Sequence, residues 1–192
     1  MEKAGIRSVF IIGFFIFVIA GCSQIEKKES EAAVAKQYTF KYFSTGNIDI
    51  LLPDSLLERH DLIFSKKDSS EVVAVRTTVG GQFNKEGKIF SYGLVETKYI
   101  KDTGIYKTFK IDSIKNNLLK NLNAQPEFKL TGMGVSKFRG LDVIVYKGWS
   151  KNYFIKSVHL PYKYYEFNIS YGGTDSVETD LDKIMNSIKF KQ

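Results

Sequence analysis

The stretch "YYEFNISY", residues 164–171, decides the fold class. Tyr165, Phe167, Ile169 and Tyr171 fall at every second position, and Glu166, Asn168 and Ser170 fall between them. A period of two is that of a β-strand, whose side chains alternate between two faces. Just upstream, "LDVIVYK" (141–147) is apolar on both faces, Val143 and Val145 opposing Ile144 and Tyr146. A strand of that kind sits centrally, with a layer on each side. Around these two, "FKLTGMGVSKF" (128–138), "GLDVIVYKGW" (140–149) and "NYFIKSVHL" (152–160) complete a run of four predicted strands.

Further out the signals change. "YTFKYF" and "NIDILLP" read as strands joined by the turn "STGN", and Pro53 stops the second because it cannot donate to a ladder. "DSLLERHDL" (54–62) is expected to be a short helical turn starting at Asp54 or Ser55. "EVVAVRTTV" (71–79) is a strand by its β-branched residues, "GGQFNKEGK" a loop, and "IFSYGLVETKYI" (89–100) another strand. In "KIDSIKNNLLKNLNAQP" the residues Ile111, Ile114, Leu118, Leu119 and Leu122 recur at helical spacing. Asp112 or Ser113 is expected to cap this helix, and Pro126 to close it. The last segment offers Asp175 and Glu178 at capping-box spacing. Leu181, Ile184, Met185 and Ile188 then form the stripe of a docking helix.

Three of these features fall in a recognisable order: "NIDILLPDSLLE", a mid-chain helix leading into "FRGLDVIVYKG", and a final hairpin feeding "LDKIMNSIKF". Over roughly residues 46–190 the chain resembles the fold shared by the photosystem subunit PsbP, the DcrB lipoprotein and related small bacterial lipoproteins. The resemblance implies an α+β domain, a mostly antiparallel sheet flanked by helices in an α/β/α sandwich. It also implies an accessory or structural role in an envelope or membrane assembly. It supplies no catalytic residue to carry over.

The N-terminus reads separately. Lys3 and Arg7 precede the uncharged run "VFIIGFFIFVIA", Val9 to Ala20. A spanning helix needs about 20 apolar residues, so this run is short for a permanent anchor and suits a secretory leader. "IAGC", Ile19-Ala20-Gly21-Cys22, resembles the bacterial lipobox. That resemblance implies that Cys22 is alkylated with diacylglycerol and becomes the acylated N-terminus. Two or more chains would anchor it stably. The expected organisation is a leader over 1–21, an acylated Cys22 with a polar tether over 22–36, and one globular domain over 37–192. The expected place is the bacterial cell membrane or outer membrane, with the domain facing the periplasm or the exterior. Ser23 is compatible with outer-membrane sorting where two membranes exist.

Chemistry is sparse. Cys22 is the only cysteine, and the formal charge of +7 falls by one when Lys3, Arg7 and Glu2 leave with the leader. The lysines are scattered, with no arginine-rich helix, which argues against nucleic acid. A basic domain near anionic lipid or wall polymer is attracted to it without specificity. "ERHD" around His60 lacks metalloprotease spacing and reads as a surface turn, and His159, before Pro161, as a partly exposed strand end. No cofactor or metal set and no acid–base pair stands out. "TGMGVSK" (131–137) precedes a strand and lacks a helix dipole, while "YGGTDS" (171–176) serves as a strand-to-helix hinge. Trp149 in "YKGWSKNY", with Tyr146 and Tyr153, marks the expected contact surface. The expected function is therefore non-enzymatic: a membrane-tethered accessory or interaction module with an envelope protein partner. A carrier of a small apolar or anionic ligand is the alternative, and an envelope hydrolase the third reading.

Overall fold

The computed structural model describes residues 39–54, 57–64, 71–85, 88–100, 110–174 and 180–191. Cys22, the leader, the tether and the Asp175–Glu178 capping box lie outside the described residues.

Among the described residues, ten strands and two helices follow one another along the chain. The strands β1 (Phe40–Ser44) and β2 (Ile48–Pro53) come first, then β3 (Leu57–Phe64), β4 (Val72–Lys85) and β5 (Lys88–Tyr99). Helix α1 (Ile111–Asn123) leads to β6 (Phe128–Phe138), β7 (Leu141–Ser150), β8 (Tyr153–Tyr162) and β9 (Tyr165–Gly173). Helix α2 (Leu181–Ser187) and the short β10 (Lys189–Phe190) complete them. Seven strands form one sheet in the order β3-β4-β5-β9-β8-β7-β6, and three form a smaller one in the order β1-β2-β10. Every pairing is antiparallel. The fold is thus a mostly antiparallel sheet structure with two helices.

The alternation in "YYEFNISY" is realised across the large sheet. Tyr171 lies opposite Tyr92 and Lys156, Ile169 opposite Leu94 and Val158, and Phe167 opposite Leu160. These side chains meet Ile48, Ile50 and Leu52 of β2 and Leu181, Ile184, Met185 and Ile188 of the C-terminal segment in one apolar cluster. Each such aliphatic side chain removed from water contributes about 1.5–3 kcal/mol, so this layer dominates stability. Tyr171 packs in a tilted arrangement against Tyr92 and Phe154 within it, at centroid distances of 5.5 and 6.5 Å.

The hairpins are tight. Phe138 pairs with Leu141 across Arg139 and Gly140, whose φ values of 50° and 80° both lie in the left-handed region. Two successive positive φ values define the hairpin turn whose twist matches its strands, and glycine meets that need without a Cβ penalty. The arginine has a second role: its guanidinium donates to the carbonyls of Ile188 and, at 2.7 Å, Asn186. The β6–β7 hairpin is thereby tied to the C-terminal segment.

Three expectations need correction. "DSLLERHDL" holds no helical turn over its described part, because Leu57–Phe64 is strand β3, zipped to β4 from Leu57↔Gly80 to Phe64↔Val72. "GGQFNKEGK" is no loop: Gly80 to Lys85 continue β4, and the ladder runs on to Lys85↔Lys88. Neither Asp112 nor Ser113 caps α1. Lys110 holds the capping position without a side-chain bond, and Asp112 lies in the first turn, where its charge favours the helix dipole.

Candidate functional site

The large sheet ends in β3, and among the described residues nothing pairs with its outer edge. The strand "LERHDLIF" is exposed along most of its length. Leu57 is 83 % exposed, Leu62 57 % and Phe64 47 %, so three of the five large exposed hydrophobics among the described residues lie here. Charges sit between them. Arg59 donates through Nε to Asp61 at 2.8 Å, and His60 lies 3.1 Å from Glu58 through Nε2 and 3.1 Å from the Thr77 hydroxyl through Nδ1. Alternation sends Arg59 and Asp61 to one face and Glu58 and His60 to the other, so His60 and Asp61 do not converge. His60 is an exposed strand residue rather than part of a turn.

Behind this edge the polar side of β9 is also buried. Register sets Asp61, Arg76, Thr97 and Glu166 opposite one another in a row from β3 through β4 and β5 to β9. The next row runs Thr78, Val95, Asn168, His159 and Ile144. His159 is only 1 % exposed and Glu166 7 %, with Nε2 and Oε2 3.6 Å apart. Burial pushes the Glu166 carboxyl up to about 7, although a Tyr99 hydrogen bond and the Arg76 charge oppose the rise. Burial alone takes His159 down to about 4. The imidazole is therefore neutral near pH 7, and neither ring nitrogen has a hydrogen bond among the described residues. Tyr99 is raised well beyond its ordinary value by burial and by Glu166, and Arg76 is lowered by burial. The arrangement sets a carboxyl raised by burial beside a neutral buried imidazole.

The reading of His159 as a strand-end residue is corrected here. It pairs with Ile144 on one side and Asn168 on the other, in the interior of β8. The strand runs on through Pro161, which lies beyond the last β7 pair and faces only Glu166 of β9. A proline is tolerated where one side of the ladder is open.

The aromatic trio is not gathered into one patch. Trp149 lies opposite Phe154 on the core face and packs edge-on against it at 5.4 Å. Tyr146, opposite Ser157, and Tyr153, opposite Ser150, are on the other face. Tyr146 is buried and accepts a 3.4 Å hydrogen bond from Asn168. "TGMGVSK" lies within β6, and the described part of "YGGTDS" closes β9. Sequence reasoning missed the β3 edge and the Glu166–His159 pair. The signals open to it were the exposed-type leucines flanking "ERHD" and a glutamate inside an aromatic-rich strand. Among the described residues, no group of three or more His, Cys, Asp or Glu side chains gathers as a metal site, and no helix is long and apolar enough to cross a membrane.

No protein-family model and no curated protein matches the chain. Among solved structures it is similar to cyanobacterial PsbP (CyanoP) from Synechocystis sp. PCC 6803, known from a solution structure. The TM-score is 0.46 and the identity 11 %, over 85 % of this chain and 99 % of that one. No residue role is taken from it.

Proposed function

We propose that the protein is a non-enzymatic interaction module of the bacterial envelope, held to a membrane through lipidated Cys22, and that it docks a protein partner along β3. The observation that carries this is the β3 edge, which has no neighbour among the described residues and exposes Leu57, Leu62 and Phe64. An unpaired edge offers a row of backbone donors and acceptors, and an extended segment adds to it as a further strand. Exposed apolar side chains along the strand, Leu57 on one face and Leu62 on the other, add contacts that give such pairing specificity. In this reading α1 and α2 flank the large sheet on its two sides. In support, Leu118 and Leu122 are buried without joining the cluster that receives Leu181 and Ile184.

The test is a photoreactive amino acid placed at Leu57, Leu62 or Phe64 in cells, with exposed Asn116 of α1 as the comparison site. Adducts mapping to an extended segment of a defined protein are expected from the β3 positions and not from Asn116. Equal labelling from both sites, or none from β3, would sink the docking reading. The anchor is tested by Cys22→Ser, which is expected to leave an unprocessed precursor without acyl label.

The carrier alternative draws on His159, whose buried ring nitrogens have no hydrogen bond among the described residues. A small anionic ligand admitted beneath the cover of that face would accept from the ring N–H. Native mass spectrometry of the purified protein checks this: a stoichiometric adduct lost in His159→Phe supports the carrier.

A further inference from the structure

The sequence of the β3 edge complements itself. Consider a second copy of the chain laid antiparallel against β3, with a two-fold axis through His60. Arg59 then lies opposite the partner's Asp61, and Asp61 opposite the partner's Arg59. Leu57 lies opposite the partner's Ile63, Glu58 opposite the partner's Leu62, and the two His60 side chains meet on the axis. Other registers do worse. Directly opposed side chains must share a sheet face, so the axis has to pass through a residue. An axis through Arg59 sets the two arginines against each other, and one through Asp61 sets the two aspartates against each other and Arg59 against the partner's Ile63. A parallel in-register pairing sets every charge against its own kind. Opposite charges directly across an antiparallel pair stabilise it and like charges oppose it.

We infer that β3 is a homodimer edge: two copies pair antiparallel about His60 and join their seven-stranded sheets into one. This rests on the docking reading above and names its occupant. Charge complementarity carries it. Arg59 and Asp61 already share one face and are bonded to each other at 2.8 Å. The two-fold therefore assembles two arginines and two aspartates into a compact alternating cluster. Symmetry requires this isologous arrangement, in which the same patch meets itself. Exposed Leu57 gains the partner's Ile63 as an apolar cross-strand neighbour in the same step.

The experiment is cysteine cross-linking of the full-length protein in membranes under mild oxidation. The native chain is the control for any disulfide through Cys22. His60→Cys places one thiol on each side of the axis and is expected to give a disulfide-linked dimer. Arg59→Cys and Asp61→Cys, each alone, are expected to give at least tenfold less, and the two co-expressed to recover the dimer. A His60→Cys chain that stays monomeric, or equal linkage by all three single variants, overturns the inference. A second arm uses charge. Arg59→Asp or Asp61→Arg alone is expected to lower the dimer fraction at least tenfold in sedimentation, and both together in one chain to restore it. Failure of the double variant to restore the dimer while its circular dichroism is native also overturns the inference. If His60→Cys is monomeric while Leu62 photo-adducts map to a different protein, the second copy is excluded and the docking reading stands. If neither linkage forms, both fall.

Discussion

Glu166 shows how one position in a strand carries more than its alternation implies. It belongs to the polar face of β9, and a polar face of a strand ordinarily meets water. Here that face is covered, and the carboxyl is pushed up to about 7 from its usual 4.5. Because the folded value is the higher one, the folded state binds the proton more tightly. Stability from this group is complete below pH 4.5 and is lost as the pH rises through 7. His159 runs the other way: with its value down at about 4, its contribution is complete above pH 6.5 and is lost as the pH falls through 4. The two slopes oppose each other between pH 4.5 and 6.5. Glu166→Gln removes the charge and keeps an acceptor for Tyr99. It is expected to raise stability over the native protein at pH 8 by up to about 3 kcal/mol, since each tenfold change in proton affinity corresponds to about 1.4 kcal/mol. The gain should vanish at pH 4.5, and urea unfolding at the two pH values measures it. A gain that does not depend on pH would refute the assignment. The alternation of Glu166 and Asn168 is plain in the sequence. Burial of their face is not legible there, because it depends on what covers the sheet rather than on β9.

At the scale of elements, the strands with one strong apolar face are legible in the sequence, and β3 is not. "ERHD" has no apolar period, because an edge strand exposed along its length gains no burial from alternation. Its conformation comes from pairing with β4, a long-range effect absent from local propensity. Gly80 and Gly81 mislead for a related reason: two glycines read as a loop, yet they pair with Gly93 and Tyr92 in mid-ladder. Helix α2 is the opposite case. Its stripe at helical spacing is plain, and Leu181, Ile184 and Met185 are buried against the core. With only seven residues, α2 draws its stability from that docking rather than from propensity. Ile184→Ala is expected to cost about 3 kcal/mol through lost transfer energy and the cavity left behind, read from the denaturant midpoint. A loss below about 1 kcal/mol would mean that the helix is not seated as described.

The described residues form two sheets packed across one apolar cluster and fastened at their margin by a few polar links. β2 receives β10 along Lys189↔Asp49 and Phe190↔Ile48, and its Leu51 N–H donates to the Ser187 hydroxyl at 2.7 Å. Arg139 fastens the same C-terminal segment to the β6–β7 hairpin. Arg139→Gly keeps the positive φ and removes the guanidinium. Amide exchange in α2 and β10 is then expected to quicken at least tenfold, with β8 and β9 amides little changed. A uniform acceleration over all strands would show that the link holds the whole domain and not this corner. The placement of β10 also governs timing. β2 precedes β10 by most of the described chain and obtains its second neighbour only from residues 189–190, so the small sheet cannot close until that segment has been synthesised. The β3–β4–β5 meander can zip earlier, while the β2 side of the core stays open. A mutation that delays that closure would leave a species with native hairpins and an exposed core, vulnerable to proteases while it waits.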